Sequence, residues 1–221
     1  MLKTIVLGVF IIICTAFTYA KTALDHIVDH PIQSEKRYEL MKEYAKIHYD
    51  LDHANLIHPK MIVIHYSAIA TLKHTLRAFE SPTILKSRSR LASYGDVNVG
   101  THYVVDRDGT IYSLLPTTLM ARHVIGFNHT AIAIENVAAD SGKLTDKQIR
   151  SNALLIDMLV KKHPSIRYMI GHLEYMNQTL PHFKLFKEEI KDYEPSIKID
   201  PGFSFMKRLR RHLQLQYNLS L

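Results

Sequence analysis

The sequence predicts an α/β fold, a central mixed sheet flanked by helices, and three patterns carry that reading. From Pro59 onward, strand-like and helix-like periodicities interleave along the chain. Met61 to Tyr66 is an unbroken apolar run of strand length, and Ala131 to Val137 reads as a second interior strand. His102 to Val105 and Thr110 to Leu115 flank Asp106-Arg107-Asp108-Gly109, and an Asp-Gly pair between β-rich runs is a hairpin signal.

The other elements follow in chain order. Lys3, the apolar Ile5 to Ile13 and the small-residue end at Thr18-Tyr19-Ala20 form a secretory signal peptide over residues 1–20, its apolar core too short to span a bilayer comfortably. Residues 21–58 form a helical lead-in, because Leu40, Met41, Tyr44 and Ile47 recur at helical spacing within 34–52. His26 and His30 stand four apart before Pro31 in polar surroundings and read as a solvent-facing pair. A helix is expected around Ala68 to Phe79. Thr145 and Gln148 fit a capping box that starts a helix through about Lys162, with Ile149, Ala153, Ile156 and Val160 on one face. Pro164 stops it, and Arg167 to Ile170 forms a short strand. Phe205 to Tyr217 is amphipathic, with Met206, Leu209 and Leu213 inward and Lys207, Arg208, Arg210 and Arg211 outward.

Composition bounds the possibilities. Cys14 is the only cysteine and lies within the apolar leader, so the chain beyond residue 20 has no disulfide and no cysteine metal ligand. Ile13 precedes Cys14 where an acylation site wants a small residue, which argues against a lipoprotein. Residues 21–221 are long enough for one full-sized domain, and the chain reads as a monomer. The formal charge of +7 favours anionic partners such as wall polymers or lipid headgroups, hence peripheral contact with an anionic wall or membrane. Export argues against nucleic acid, and no nucleic-acid motif appears.

Three residues lie in contexts that suit a hydrolytic zinc site. His65 ends the apolar run MIVIH, His172 follows Gly171 at the end of RYMIG, and Asp200 opens Asp200-Pro201-Gly202. Two imidazoles and one carboxylate leave zinc a fourth position for water. Read singly, each has an ordinary alternative: a histidine at a strand end satisfies a core, and an aspartate before proline starts a turn. Glu135 interrupts the strand AIAIENV, where a charge is expensive to bury without a task, although a strand-edge ion pair would also explain it. Lys198 stands two before Asp200 and would face the same way in extended chain.

The ordered blocks IVIHYSA, THYVVDRDGTIYSLLP, ARHVIGFNHTAIAIENV, MIGH and KIDPGFSFMKRLR, spanning roughly residues 59 to 210, resemble the zinc-dependent N-acetylmuramoyl-L-alanine amidases, the group that includes peptidoglycan recognition proteins. The resemblance implies an amidase/peptidoglycan recognition protein-like fold with a catalytic domain over 59–221. It also implies cleavage of the amide between N-acetylmuramic acid and L-alanine, with peptidoglycan or muropeptides as partners and Zn2+ as cofactor. It places His65, His172 and Asp200 as zinc ligands, Glu135 as general base and Lys198 as oxyanion stabiliser. It sets His123 in the substrate groove. Asn128 could bind muropeptide through its amide, and Arg88, with Arg90, could meet a stem-peptide carboxylate. His102 is read as structural.

Two features depart from the family pattern. Residues 173–197 separate His172 from Asp200 by more than compact members use and include the helix-like HFKLFKEEIKDY, expected to remodel one groove wall. Thr101 stands where one branch often has tyrosine, which favours the Glu135 mechanism. Besides a periplasmic or secreted amidase, the sequence leaves open a silent peptidoglycan-binding module and a zinc peptidase acting on another stem-peptide amide.

Overall fold

The computed structural model describes residues 27–193 and 195–221. The leader, Cys14 and His26 lie outside these residues. Six strands form one sheet: β1 (Ile27–Asp29), β2 (Met61–Tyr66), β3 (Tyr103–Val105), β4 (Ile111–Ser113), β5 (Ala131–Asn136) and β6 (Tyr168–Gly171), in the order β1-β4-β3-β5-β2-β6. Every neighbouring pair is parallel except β3 with β4, the hairpin. The mixed direction expected from the sequence is therefore present. At the hairpin tip Gly109 adopts φ +93, a backbone that side-chain-bearing residues rarely take, which explains the Asp-Gly signal.

β2 and β5 are buried almost throughout, as central parallel strands covered on both faces must be. Alternation then divides their side chains. Ile62, Ile64, Ile132 and Ile134 join the largest apolar cluster with Ile149, Ile156, Met206 and Leu209 from the helices α4 (Asp146–Lys162) and α5 (Phe203–Tyr217). Met61, Val63 and Ala131 face the opposite side, where Phe127, Ile170 and Tyr175 join them. His65 and Glu135 continue that second face.

The capping box at Thr145 and Gln148 is present. Gln148 also donates from Nε2 to the carbonyls of Val105 and Val137, which docks the start of α4 on the ends of β3 and β5. His102 is a buried brace: its Nδ1 accepts from Ala133 N at 2.9 Å and its Nε2 donates to Leu119 O at 2.8 Å. Burial pushes its pKa down to about 4, so it stays neutral, and with both ring nitrogens engaged it has none free for a metal.

Several expectations need correction. The lead-in is more than a helix, since β1 forms a sheet edge and α1 (Glu35–Tyr49) buries Met41, Tyr44, Ala45, His48 and Tyr49. Ile47, expected on its apolar stripe, is half exposed. Arg37 ties α1 to the end of α2 (Leu72–Glu80) by donating to the carbonyls of Phe79 and Ser81. α2 starts later than Ala68 because Ala68 has positive φ and the helix cap is Thr71, and the short α3 (Ser89–Ala92) follows it. The stretch HFKLFKEEIKDY holds only a short 3-10 turn, Pro181–Leu185. Its backbone N–H groups at Lys187 and Glu189 donate outside the segment, to the carbonyls of Gly126 and His48, so tertiary bonding overrides the helical spacing.

Candidate metal centre and groove

The site is assembled at the carboxyl ends of β2, β5 and β6. In the β2–β5 register His65 lies directly opposite Glu135. His172 follows β6 immediately, and Leu173 N donates to Asp200 O at 2.8 Å, which draws the distant Asp200 beside it. Gly171 permits the approach: a Cβ there would meet Pro201, Leu173 and Met206 at 2.9–3.0 Å. Glu174 accepts from Gly171 N and holds Arg210 of α5 through two nitrogens, locking the turn that aims His172.

Three donor atoms converge. His65 Nδ1 lies 3.1 Å from His172 Nδ1 and 3.2 Å from Asp200 Oδ2, and His172 Nδ1 lies 3.1 Å from the same oxygen. Metal–ligand bonds of 2.0–2.1 Å at the corners of a tetrahedron would space donors by about 3.3 Å, so the triangle fits a zinc-sized ion. The surroundings also fit. Ala131 O can only accept, so His123 Nε2 carries its proton and His123 Nδ1 accepts from His65 Nε2, at 3.1 Å. That leaves His65 Nδ1 with a lone pair aimed into the triangle, the tautomer a metal ligand needs. Burial, followed by His65 and His102, pushes the His123 pKa well down, which keeps this relay neutral. Burial likewise takes His172 down to about 4. For Asp200 burial works against ionisation, but the adjoining His172 and His65 rings outweigh it and hold the carboxyl well below the usual range.

The His65 backbone is fixed from the other face of the sheet. Asn152 on α4 donates to Asn136 Oδ1 at 2.7 Å, and Asn136 donates from Nδ2 to His65 O at 3.0 Å. Glu135 is buried, and burial raises its pKa to about 7, with His65 opposing and Asp200 reinforcing the shift. A carboxyl poised near neutrality beside a candidate metal site is suited to moving protons.

A groove of about 1090 Å³ contains the triangle, Glu135 and Lys198, and extends past Arg88 and Arg90. Every residue expected at the site lines this one cleft. Two of them also brace it. His123 serves His65 through its ring, and Asn128 spends its amide oxygen on the backbone N–H groups of His123 and Val124, at 2.8 Å each. Tyr66, beside His65 in the same groove, went unselected although it stands in the block IVIHYSA.

The segment 187–193, which reaches the groove wall at Tyr193, is anchored by a residue with no sequence signal of its own. His48 on α1 faces acceptors with both ring nitrogens: the Glu188 carboxylate at 2.8 and 3.0 Å, and Tyr94 O at 2.8 Å. Its ring stacks on Tyr44, and Tyr94 stacks on Tyr193. The insertion, α1 and the loop before β3 thus meet at one buried imidazole.

An α/β domain with a two-histidine, one-aspartate triangle at parallel strand ends defines a class of candidate metallohydrolases. The N-acetylmuramoyl-L-alanine amidase family model matches residues 55–203, and the chain belongs to that family. A crystal structure of a selenomethionine AmpD derivative is 21% identical with a TM-score of 0.54, covering 84% of this chain and 93% of that one. The endolysin amidase LysCS from Clostridium intestinale URNW is 22% identical with a TM-score of 0.42, covering 57% of this chain and 76% of its own. Peptidoglycan recognition protein-LE in complex with tracheal cytotoxin is 20% identical with a TM-score of 0.43, covering 58% and 84%. The AmpD likeness shows the shared fold. Among curated proteins, none matches the chain.

Truncating His48 should strand a buried carboxylate and release the wall. His48→Ala is expected to cost about 3 kcal/mol of unfolding free energy and to expose residues 187–193 to limited proteolysis. An unchanged urea midpoint and cleavage pattern would show that His48 does not hold the wall.

Proposed function

We propose that this chain is an exported zinc hydrolase that cleaves the amide between N-acetylmuramic acid and L-alanine in bacterial peptidoglycan. The observation that carries the reading is the donor triangle of His65, His172 and Asp200 sharing one groove with a buried Glu135, in a chain of the amidase family. Zinc held by those three residues would polarise the scissile carbonyl and acidify a water. Glu135 then takes the proton of the attacking water and returns it to the leaving nitrogen. Lys198 lines the groove two residues before Asp200 and offers its ammonium to the developing oxyanion. Arg88, on the groove's exposed arm, is placed to meet a stem-peptide carboxylate. A silent peptidoglycan-binding module would have no use for a base, so Glu135 favours the enzyme.

Two variants separate the roles. His172→Ala should lose both stoichiometric zinc and activity, whereas Glu135→Gln should keep zinc and lose activity by a factor on the order of 100 or more. The Glu135 carboxyl ionises as pH rises, so the rate should climb with pH to a plateau, with a midpoint at or below about 7 because a nearby cation can only lower it. Mass spectrometry of digested sacculi should find peptides that begin with L-alanine. Zinc-replete His172→Ala, near-normal Glu135→Gln or cuts confined to other stem-peptide amides would each overturn the corresponding assignment.

Export rests on the leader in residues 1–20. Cell fractionation should recover a chain beginning at Lys21 outside the cytoplasm. A cytoplasmic chain still beginning at Met1 would contradict this.

A further inference from the structure

Large apolar side chains left in water are unevenly distributed. Of the eight exposed among the described residues, four lie between positions 197 and 215: Ile197 at 96% exposure, Ile199 at 70%, Phe203 at 77% and Leu215 at 66%. Ile197 and Ile199 alternate with Lys198 and Asp200, which line the groove, so the isoleucines point away from it. A substrate in the groove therefore does not cover them. On α5, Phe203, Lys207, Arg211 and Leu215 recur every fourth residue and form one outward stripe.

The charge of this stretch has one sign. From residue 197 to the C-terminus the only acid is Asp200, which belongs to the donor triangle, while Lys207 and Arg211 stand exposed on the stripe. Arg211 also borders a groove of about 350 Å³ with Arg150, Leu215 and Asp146, the last paired with Arg208. Basic residues among exposed apolar ones suit an interface that is apolar within and anionic at its surface. A soluble anionic polymer would account for the cations but not for two isoleucines and a phenylalanine left in water.

We propose that this face docks on an anionic phospholipid bilayer, with Ile197, Ile199 and Phe203 seated among the headgroups and Lys207 and Arg211 against the phosphates. Asp200 lies within the same run, so docking would keep the site near the membrane and favour membrane-proximal substrate. The docking does not depend on hydrolysis, and its test is separate from that of the activity.

The test is co-sedimentation of the purified protein, with the same N-terminus in every variant, on three surfaces: phosphatidylethanolamine–phosphatidylglycerol vesicles, phosphatidylcholine vesicles and lipid-free sacculi. Binding should require phosphatidylglycerol and weaken with salt. Replacing Ile197, Ile199 and Phe203 together by serine should reduce it at least about ten-fold, and Lys207→Gln with Arg211→Gln should reduce it further. Circular dichroism melting should be unchanged, because these side chains are exposed. Binding that survives the serine variant, equal binding to phosphatidylcholine, retention only by sacculi, or self-association that the serine variant abolishes would each overturn the proposal.

Discussion

The structure turns on the parallel pairing of β2 with β5 in the register that sets His65 opposite Glu135. Strand neighbours lie about 4.8 Å apart, so this one alignment fixes a candidate ligand and a candidate base on the same sheet face. A slip of one residue in either strand would send its side chain to the face occupied by α4 and α5, where Ile62, Ile64, Ile132 and Ile134 now pack. The apolar alternation that builds the core therefore also enforces the geometry of the site.

Burying polar groups around the site is tolerable where each has a defined partner. Ala131 O fixes the His123 tautomer, His123 fixes that of His65, and Asn152 and Asn136 hold the His65 backbone from behind. Glu174 and Arg210 do the same for the turn at His172. These contacts preset donors that would otherwise reorganise on binding a metal, which is the general advantage of a supported ligand shell.

The legible parts of the sequence were those governed by local rules. The interior strands, the Asp-Gly hairpin, the capping box at Thr145 and the inward face of α5 follow from periodicity and turn chemistry, and the structure keeps them. His65, His172, Asp200 and Glu135 could be selected from strand-end contexts and the ordered blocks, but only the sheet brings them together. HFKLFKEEIKDY has helical spacing, yet its N–H groups bond to Gly126 and His48, partners that no local pattern reveals. The same holds for His48, an ordinary helix residue in sequence that proves to be the buried link between three segments. His123 and Asn128 were found in the correct neighbourhood, but whether a polar side chain faces a ligand or braces a loop depends on which backbone groups need partners.

The central claim is that the three donor atoms form one metal centre. Anomalous diffraction at the zinc edge, on crystals grown with zinc, tests it most directly. The account predicts a single strong peak about 2.0–2.2 Å from His65 Nδ1, His172 Nδ1 and an Asp200 carboxylate oxygen. Zinc bound elsewhere, with no peak inside the triangle, would contradict it.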